Sequence, residues 1–277
     1  MELLERTVKG IKTMEIQGAR SIAIAGLKAI REVAEKEGFG KEFNGACGLL
    51  ESSRPTAVAL HNALESVKKK KSLEEIDRLI YYFENVASLI ASQNYKLVKN
   101  NSTVLTHCHS SVVVELLKKT WEKKIKFRVI ATETRPLLQG KTTAKELSEV
   151  GIPIVYTDDV APGHFMQMHK RKINIVLLGI DSIRREGIVN KIGSYMLAVF
   201  AKENNIPVYF VGELMKIDRR KKIDMEERNP EEVIKQKELP KVKVENPAFD
   251  LTLWRYITGV VTEKGILKPA QMKGLLK

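Results

Sequence analysis

The 277-residue chain reads as an α/β protein, a helical N-terminal domain followed by a Rossmann-like parallel-sheet domain. Three observations carry that reading. Residues up to about 97 place apolar side chains at helical spacing and contain no strong strand run. From Ser102 onward, short apolar runs alternate with helical stretches. The connections between those runs average about 25 residues, the length of β-α-β units with right-handed crossovers. The expected division is 1–97 for the helical domain and 98–277 for the domain carrying the site and the oligomer interface.

Each element follows from local pattern. Ile22, Ala25, Gly26, Ala29, Ile30 and Val33 form one stripe over Ser21–Val33, and Val58, Leu60, Ala63, Leu64 and Val67 form another over Thr56–Val67. Ser72 with Glu75 reads as a capping box. Behind it Ile76, Leu79, Ile80, Phe83, Val86, Ala87, Ile90 and Ala91 make a long amphipathic face. The expected strands are Thr103–Leu105, Phe127–Ala131, Ile154–Tyr156, Ile175–Ile180 and Val208–Val211. A last helix is expected around Trp254, Tyr256, Ile257, Val260 and Val261, whose apolar surface exceeds what one sheet face needs. Gly38-Phe39-Gly40 follows no strand and reads as a loop. No dinucleotide fingerprint or P-loop follows any strand, so no nucleotide cofactor is expected.

Composition bounds the class. Apolar residues make up 43% of the chain and charged residues 29%. No run approaches the ~18 apolar residues of a membrane span. Met1-Glu2-Leu3-Leu4-Glu5-Arg6 lacks a signal-peptide layout. Two cysteines cannot build a disulfide framework, so the reading is a cytoplasmic protein with free thiols and no Cys47–Cys108 bridge. The net charge of +13 suits nucleic acid or phosphorylated substrates. The basic clusters Lys68-Lys69-Lys70-Lys71, Lys170-Arg171-Lys172 and Arg219-Arg220-Lys221-Lys222 lack aromatic interleaving, which argues against direct nucleic-acid binding.

The residues able to do chemistry fall at predicted strand ends. Cys108 follows an apolar run and precedes a helical stretch, where the helix dipole is expected to favour thiolate. Asp181 closes the run Ile175–Ile180. Ends of parallel strands line the ligand crevice, so the pair is a candidate for acid–base work. Arg135 could clamp a phosphate and Gln139 could bond sugar hydroxyls. Lys191 offers a point charge beside Gly193, and Lys216 trails the last run. In the helical half, Arg54-Pro55-Thr56 is expected to open a helix with proline at its first position, leaving an anion-ready end. Gln17-Gly18-Ala19-Arg20-Ser21 is read the same way. A metal is not expected: on a strand His107 and His109 face one side and Cys108 the other. His164 and His169 have no carboxylate at helical spacing.

Taken in order, Gly18-Ala19, Arg54-Pro55-Thr56-Ala57-Val58, Thr106-His107-Cys108, Thr134-Arg135-Pro136-Leu137-Leu138-Gln139-Gly140, Gly179-Ile180-Asp181, Asn190-Lys191-Ile192-Gly193-Ser194-Tyr195 and Asn246-Pro247-Ala248-Phe249-Asp250 resemble one family. It comprises methylthioribose-1-phosphate isomerase, archaeal ribose-1,5-bisphosphate isomerase and the alpha, beta and delta subunits of translation initiation factor 2B. The resemblance implies that Cys108 and Asp181 are the catalytic pair of an aldose–ketose isomerase acting on a C1-phosphorylated pentose. Gly18, Ala19, Arg20, Arg54, Ser110, Arg135, Gln139, Asn190, Lys191 and Lys216 would then bind the substrate. No metal or other cofactor is implied. The alternative is a non-catalytic regulatory subunit that senses a sugar phosphate or nucleotide and binds translation initiation factor 2. Either way the resemblance implies a homodimer, or a larger assembly, through the C-terminal domain. One departure stands out: the first phosphate loop of the isomerases begins Arg-Gly-Ala, whereas this chain has Gln17-Gly18-Ala19 with the arginine three places on, at Arg20.

Overall fold

The computed structural model describes residues 2–167, 172–221 and 225–276. His169, Lys170, Arg171 and Lys222 lie outside the described residues. The chain divides into two compact units, Met1–Val86 with Met215–Asp218, and Ala87–Leu214 with Arg219–Lys277. The division falls inside a helix, earlier than the change in sequence texture near residue 97.

The first unit holds α1 (Glu2–Lys12), α2 (Ala19–Glu37), α3 (Lys41–Ser53), α4 (Val58–Lys70) and the start of α5 (Leu73–Asn94). Ile22, Leu27, Ile30, Leu50, Leu60, Leu64, Ile76, Leu79 and Phe83 are buried together, as their helical spacing requires. Two local expectations change. Only half of the capping box forms: the Glu75 N–H donates to Ser72 Oγ at 3.2 Å. The Glu75 carboxylate, itself buried, turns instead to Ser66 Oγ (2.6 Å), Lys70 Nζ (2.7 Å) and Arg78 (2.7 and 2.8 Å). Several donors satisfy a buried carboxylate better than one backbone N–H could. Pro55 is not at a first helical position. α3 ends at Ser53 and α4 begins at Val58, so Pro55 sits in the turn between them.

The second unit alternates strand and helix: β1 (Ser102–His107), α6 (Ser111–Glu122), β2 (Phe127–Thr132), α7 (Gly140–Glu149), β3 (Ile154–Thr157), α8 (Pro162–Gln167), β4 (Ile175–Leu178), β5 (Ser182–Ile183), β6 (Gly187–Lys191), α9 (Ser194–Glu203), β7 (Val208–Val211), β8 (Phe249–Leu253), β9 (Gly259–Thr262), β10 (Gly265–Leu267) and α10 (Pro269–Leu275). Seven strands form one sheet in the order β10-β9-β7-β4-β1-β2-β3. All its pairings are parallel except β10 against β9. β1 and β4 are buried along their whole length, the pattern of a central strand covered on both faces. A small antiparallel sheet, β5-β6-β8, stands beside it.

The expected C-terminal helix is replaced by a 3-10 turn at Trp254–Tyr256 and by β9, which joins the sheet beside β7. Trp254, Ile257, Val260 and Val261 are buried within the unit, so they leave no surplus apolar surface. Both cysteines are free. Among the described residues, no helix is long and apolar enough to cross a membrane.

Candidate active site at the strand switch point

β1 and β4 are neighbours, but the chain leaves them toward opposite edges, from β1 to β2 and from β4 to β7. At such a point the crossover loops part and a crevice opens at the carboxyl ends of the strands. Cys108 directly follows β1 and Asp181 follows β4 by three residues. The two residues singled out from the sequence therefore stand where open sheets of this topology generally bind ligands.

Cys108 occupies the left-handed region, φ 66°. Its N–H donates to Thr134 Oγ1 at 2.8 Å, and its carbonyl accepts from Thr143 Oγ1 at 2.9 Å. Burial pushes the thiol up to about 12, outweighing the nearby Lys191 charge. This reverses the thiolate expected from the helix dipole. The dipole acts over one turn of a half-exposed end, whereas desolvation acts on the whole sulfur. Ser110 Oγ serves as the N-cap of α6, accepting the Val113 N–H at 3.5 Å.

Asp181 donates its N–H to Val189 O at 3.0 Å. Two acceptors face one end of the Asn190 amide, which assigns the NH2 there. It donates to Asp181 Oδ2 (3.0 Å) and Gly179 O (3.2 Å), while the amide oxygen accepts from Ser194 Oγ (2.9 Å). Gly179 lets the α6 N-cap pack against this strand end, since a Cβ there would lie 2.9 Å from Ser110 Cβ. Asn190 and Lys191 close β6 and are buried, and burial lowers the pKa of the Lys191 ammonium. Cys108, Asp181 and Lys191 lie within one another's electrostatic reach.

The loop after β2 is held by Asp159, whose carboxylate accepts the Thr134 and Arg135 N–H groups at 2.7 Å each. It then folds so tightly that a Cβ on Gly140 would overlap Thr132 O, 1.7 Å away. Gln139 Oε1 is buried with no hydrogen-bond partner among the described residues. The Arg135 side chain is exposed and donates to Val233 O at 3.3 Å.

The remaining expected site residues belong to the first unit. Gly18, φ 83°, is the N-cap of α2, with Ala19 and Arg20 in its first turn. Arg54 is the C-cap of α3, with Nη1 3.3 Å from Met14 Sδ, and Lys216 is buried in the Met215–Asp218 segment.

Sequence reasoning passed over two carboxylates. Asp159 organises the loop after β2, and Asp250 of β8 accepts N–H groups from Gly193 (2.7 Å) and Tyr195 (3.1 Å) at the start of α9. Only the motif Asn246–Asp250 signalled the second. The adjacent His107, Cys108 and His109 do not converge on a metal. His107 bonds Thr132 and Ile192, and His109 bonds Thr143. Glu51, His61 and Glu65 do gather ligand atoms within 4.8 Å. Lys68 Nζ already bonds both carboxylates there, at 2.9 and 3.0 Å.

Comparison with known proteins agrees with this architecture. Residues 15–269 match the model of the Initiation factor 2 subunit family. Ribose 1,5-bisphosphate isomerase of Thermococcus kodakarensis is 36% identical over 299 aligned residues, which cover 97% of this chain and 91% of the relative. Methylthioribose-1-phosphate isomerase of Acetivibrio thermocellus is also 36% identical, covering 98% of this chain and 87% of the relative. A solved structure of the translation initiation factor eIF-2B of Pyrococcus horikoshii OT3 superposes with a TM-score of 0.86 at 28% identity, covering 98% of each chain.

Proposed function

Because this chain belongs to the Initiation factor 2 subunit family, we propose that it is an aldose–ketose isomerase acting on a pentose phosphorylated at C1, of the ribose 1,5-bisphosphate or methylthioribose 1-phosphate type. The observation that carries the reading is Cys108 and Asp181 at adjacent strand ends of the switch point, with buried Lys191 beside them.

The reaction moves four protons in balance. One reaches the ring oxygen as the C1–O bond breaks, and one leaves C2 as its C–H electron pair becomes a C1–C2 double bond. One is added at C1, and one leaves the C2 hydroxyl as the ketone forms. Cys108 takes the C2 proton and Asp181 returns one, each within a site dry enough to tune it. The half-buried thiol must first pass its own proton to the Asp181 carboxylate, which is the proton Asp181 returns, and the Lys191 charge favours that loss. Asn190 holds the Asp181 carboxylate in place. Gln139 Oε1 awaits a donor that a sugar hydroxyl would supply, since an unmet buried acceptor costs about 1–3 kcal/mol. Arg135 and Lys191 hold phosphate and hydroxyls. The chemistry calls on no metal or nucleotide. The free thiols suit a reducing, cytoplasmic setting, and the assembly is a homodimer built through the second unit.

A regulatory reading is favoured by one observation, the TM-score of 0.86 to a structure named as an initiation factor. Under it the pocket binds a sugar phosphate or nucleotide without turnover, and the chain binds translation initiation factor 2. Incubation with ribose 1,5-bisphosphate and with methylthioribose 1-phosphate, followed by assay for ketose, separates the two. Ketose from either substrate supports the isomerase. Neither turning over, together with binding to an initiation factor 2 subunit, favours the regulatory subunit.

A further inference from the structure

Resting on the isomerase reading, we propose that His107 is the positioning residue of the site, a neutral imidazole that sets Cys108 against Asn190 and Lys191. Its ring lies 3% exposed at the end of β1. Nε2 is 2.8 Å from Ile192 O, which can only accept, so Nε2 carries the hydrogen. Burial lowers the pKa of this imidazole and keeps the ring neutral, and in a neutral ring that carries its hydrogen on Nε2, Nδ1 accepts the Thr132 Oγ1 hydrogen at 2.6 Å. With both nitrogens so engaged, the tautomer is fixed by its partners.

The ring joins three segments that carry the chemistry. Its own backbone leads directly into Cys108. Thr132 ends β2, and two residues on Thr134 receives the Cys108 N–H. Ile192 directly follows Lys191. A second, independent feature shows that the fold makes room for this ring. Gly193 has φ 101°, and a Cβ there would stand 3.1 Å from His107 Nε2. No other residue type lets the turn after Lys191 close onto the imidazole without strain. The charged groups around the ring are Asp159, 3.7 Å from Nδ1, and Lys191. Both ring nitrogens are taken up by protein partners. Its effect is on the distance between the thiol and the groups of β6.

Comparing His107→Gln with His107→Asn tests this. The glutamine amide nitrogen reaches where Nε2 stands and can donate to Ile192 O, whereas that of asparagine falls short. His107→Gln should keep kcat within about tenfold, and His107→Asn should lose about a hundredfold, the scale of an ångström-level misplacement, with a smaller change in KM. An activity-independent measurement runs beside it: alkylation of Cys108 by iodoacetamide, located by peptide mapping. His107→Asn should speed it at least several-fold, with His107→Gln near the unsubstituted protein. In the unsubstituted protein, nitrogen NMR of the imidazole should show Nε2 protonated and Nδ1 bare at neutral pH. Equal behaviour of the two variants in alkylation, or a proton on Nδ1 alone, would overturn the proposal. Absence of turnover in the unsubstituted protein would refute the isomerase reading, while the alkylation and NMR results would still decide the role of His107.

Discussion

Cys108 and Thr134 are hydrogen-bonded partners that share an unusual backbone: the Cys108 N–H donates to Thr134 Oγ1 at 2.8 Å, and both residues have positive φ, 66° and 63°. Each conformation costs on the order of 1–3 kcal/mol, and a β-branched residue is a marked outlier there. Two strained loop starts thus brace each other, and Asp159 holds the second from behind. Thr134→Val removes the acceptor and leaves a buried N–H unmet, which should lower stability by about 1–3 kcal/mol. Thr134→Ser should restore most of it. Chemical denaturation of the two variants checks this, and equal midpoints would contradict it.

Cys108→Ser and Asp181→Asn should each lower kcat by about 10²–10⁴-fold while leaving sugar-phosphate affinity nearly intact, because their work lies in proton transfer. Lys191→Ala should instead weaken binding, through loss of a charge partner. Steady-state kinetics and calorimetric titration separate the two outcomes. Unchanged turnover in Cys108→Ser would defeat the mechanism even with the family secure.

The two thiols should be slow toward alkylating agents in the native protein. Burial pushes both to about 12. At pH 8 that leaves roughly one thiolate in ten thousand, against about one in four for an ordinary thiol near 8.5. Alkylation of either residue at the rate of a free thiol would contradict it.

Asp250 should give stability a decline with rising pH. Burial lifts its carboxyl to about 6 from the ordinary 3.8. Between those values the folded state keeps a proton that the unfolded chain has released. The group's contribution is therefore greatest below about pH 4 and falls until about pH 6, by an amount on the order of 3 kcal/mol. In Asp250→Asn that component should vanish. The difference between the two unfolding free energies, followed from pH 4 to 7, measures it, and parallel profiles would refute the assignment.

The sequence was legible where pattern and local physics coincide. Val208–Val211 is a strand at the residues expected, and Cys108 and Asp181 stand at strand ends as their apolar runs implied. The C-terminal region misled because Trp254, Ile257 and Val261 recur at helical spacing while the residues between them serve a short turn and a strand. β5 and β6 escaped notice because they are short and β6 ends in Asn190 and Lys191, polar residues read as a ligand loop. The state of the Cys108 thiol was out of reach, since a motif names residues but not their burial. The partners of His107 lie 25 and 85 residues away in the chain, beyond any local pattern.

The first unit is not one stretch of chain. Met215–Asp218 returns to it, and there the Asn62 amide donates to the carbonyls of Met215 (2.7 Å) and Ile217 (2.8 Å). On a ribosome, the helices made first must therefore wait for residue 218 to leave the exit tunnel before Asn62 is satisfied. Until then its amide can be met only by water. An expression fragment cut at residue 86 would carry the same deficit permanently, so the boundary drawn along the chain is not a place to divide the gene.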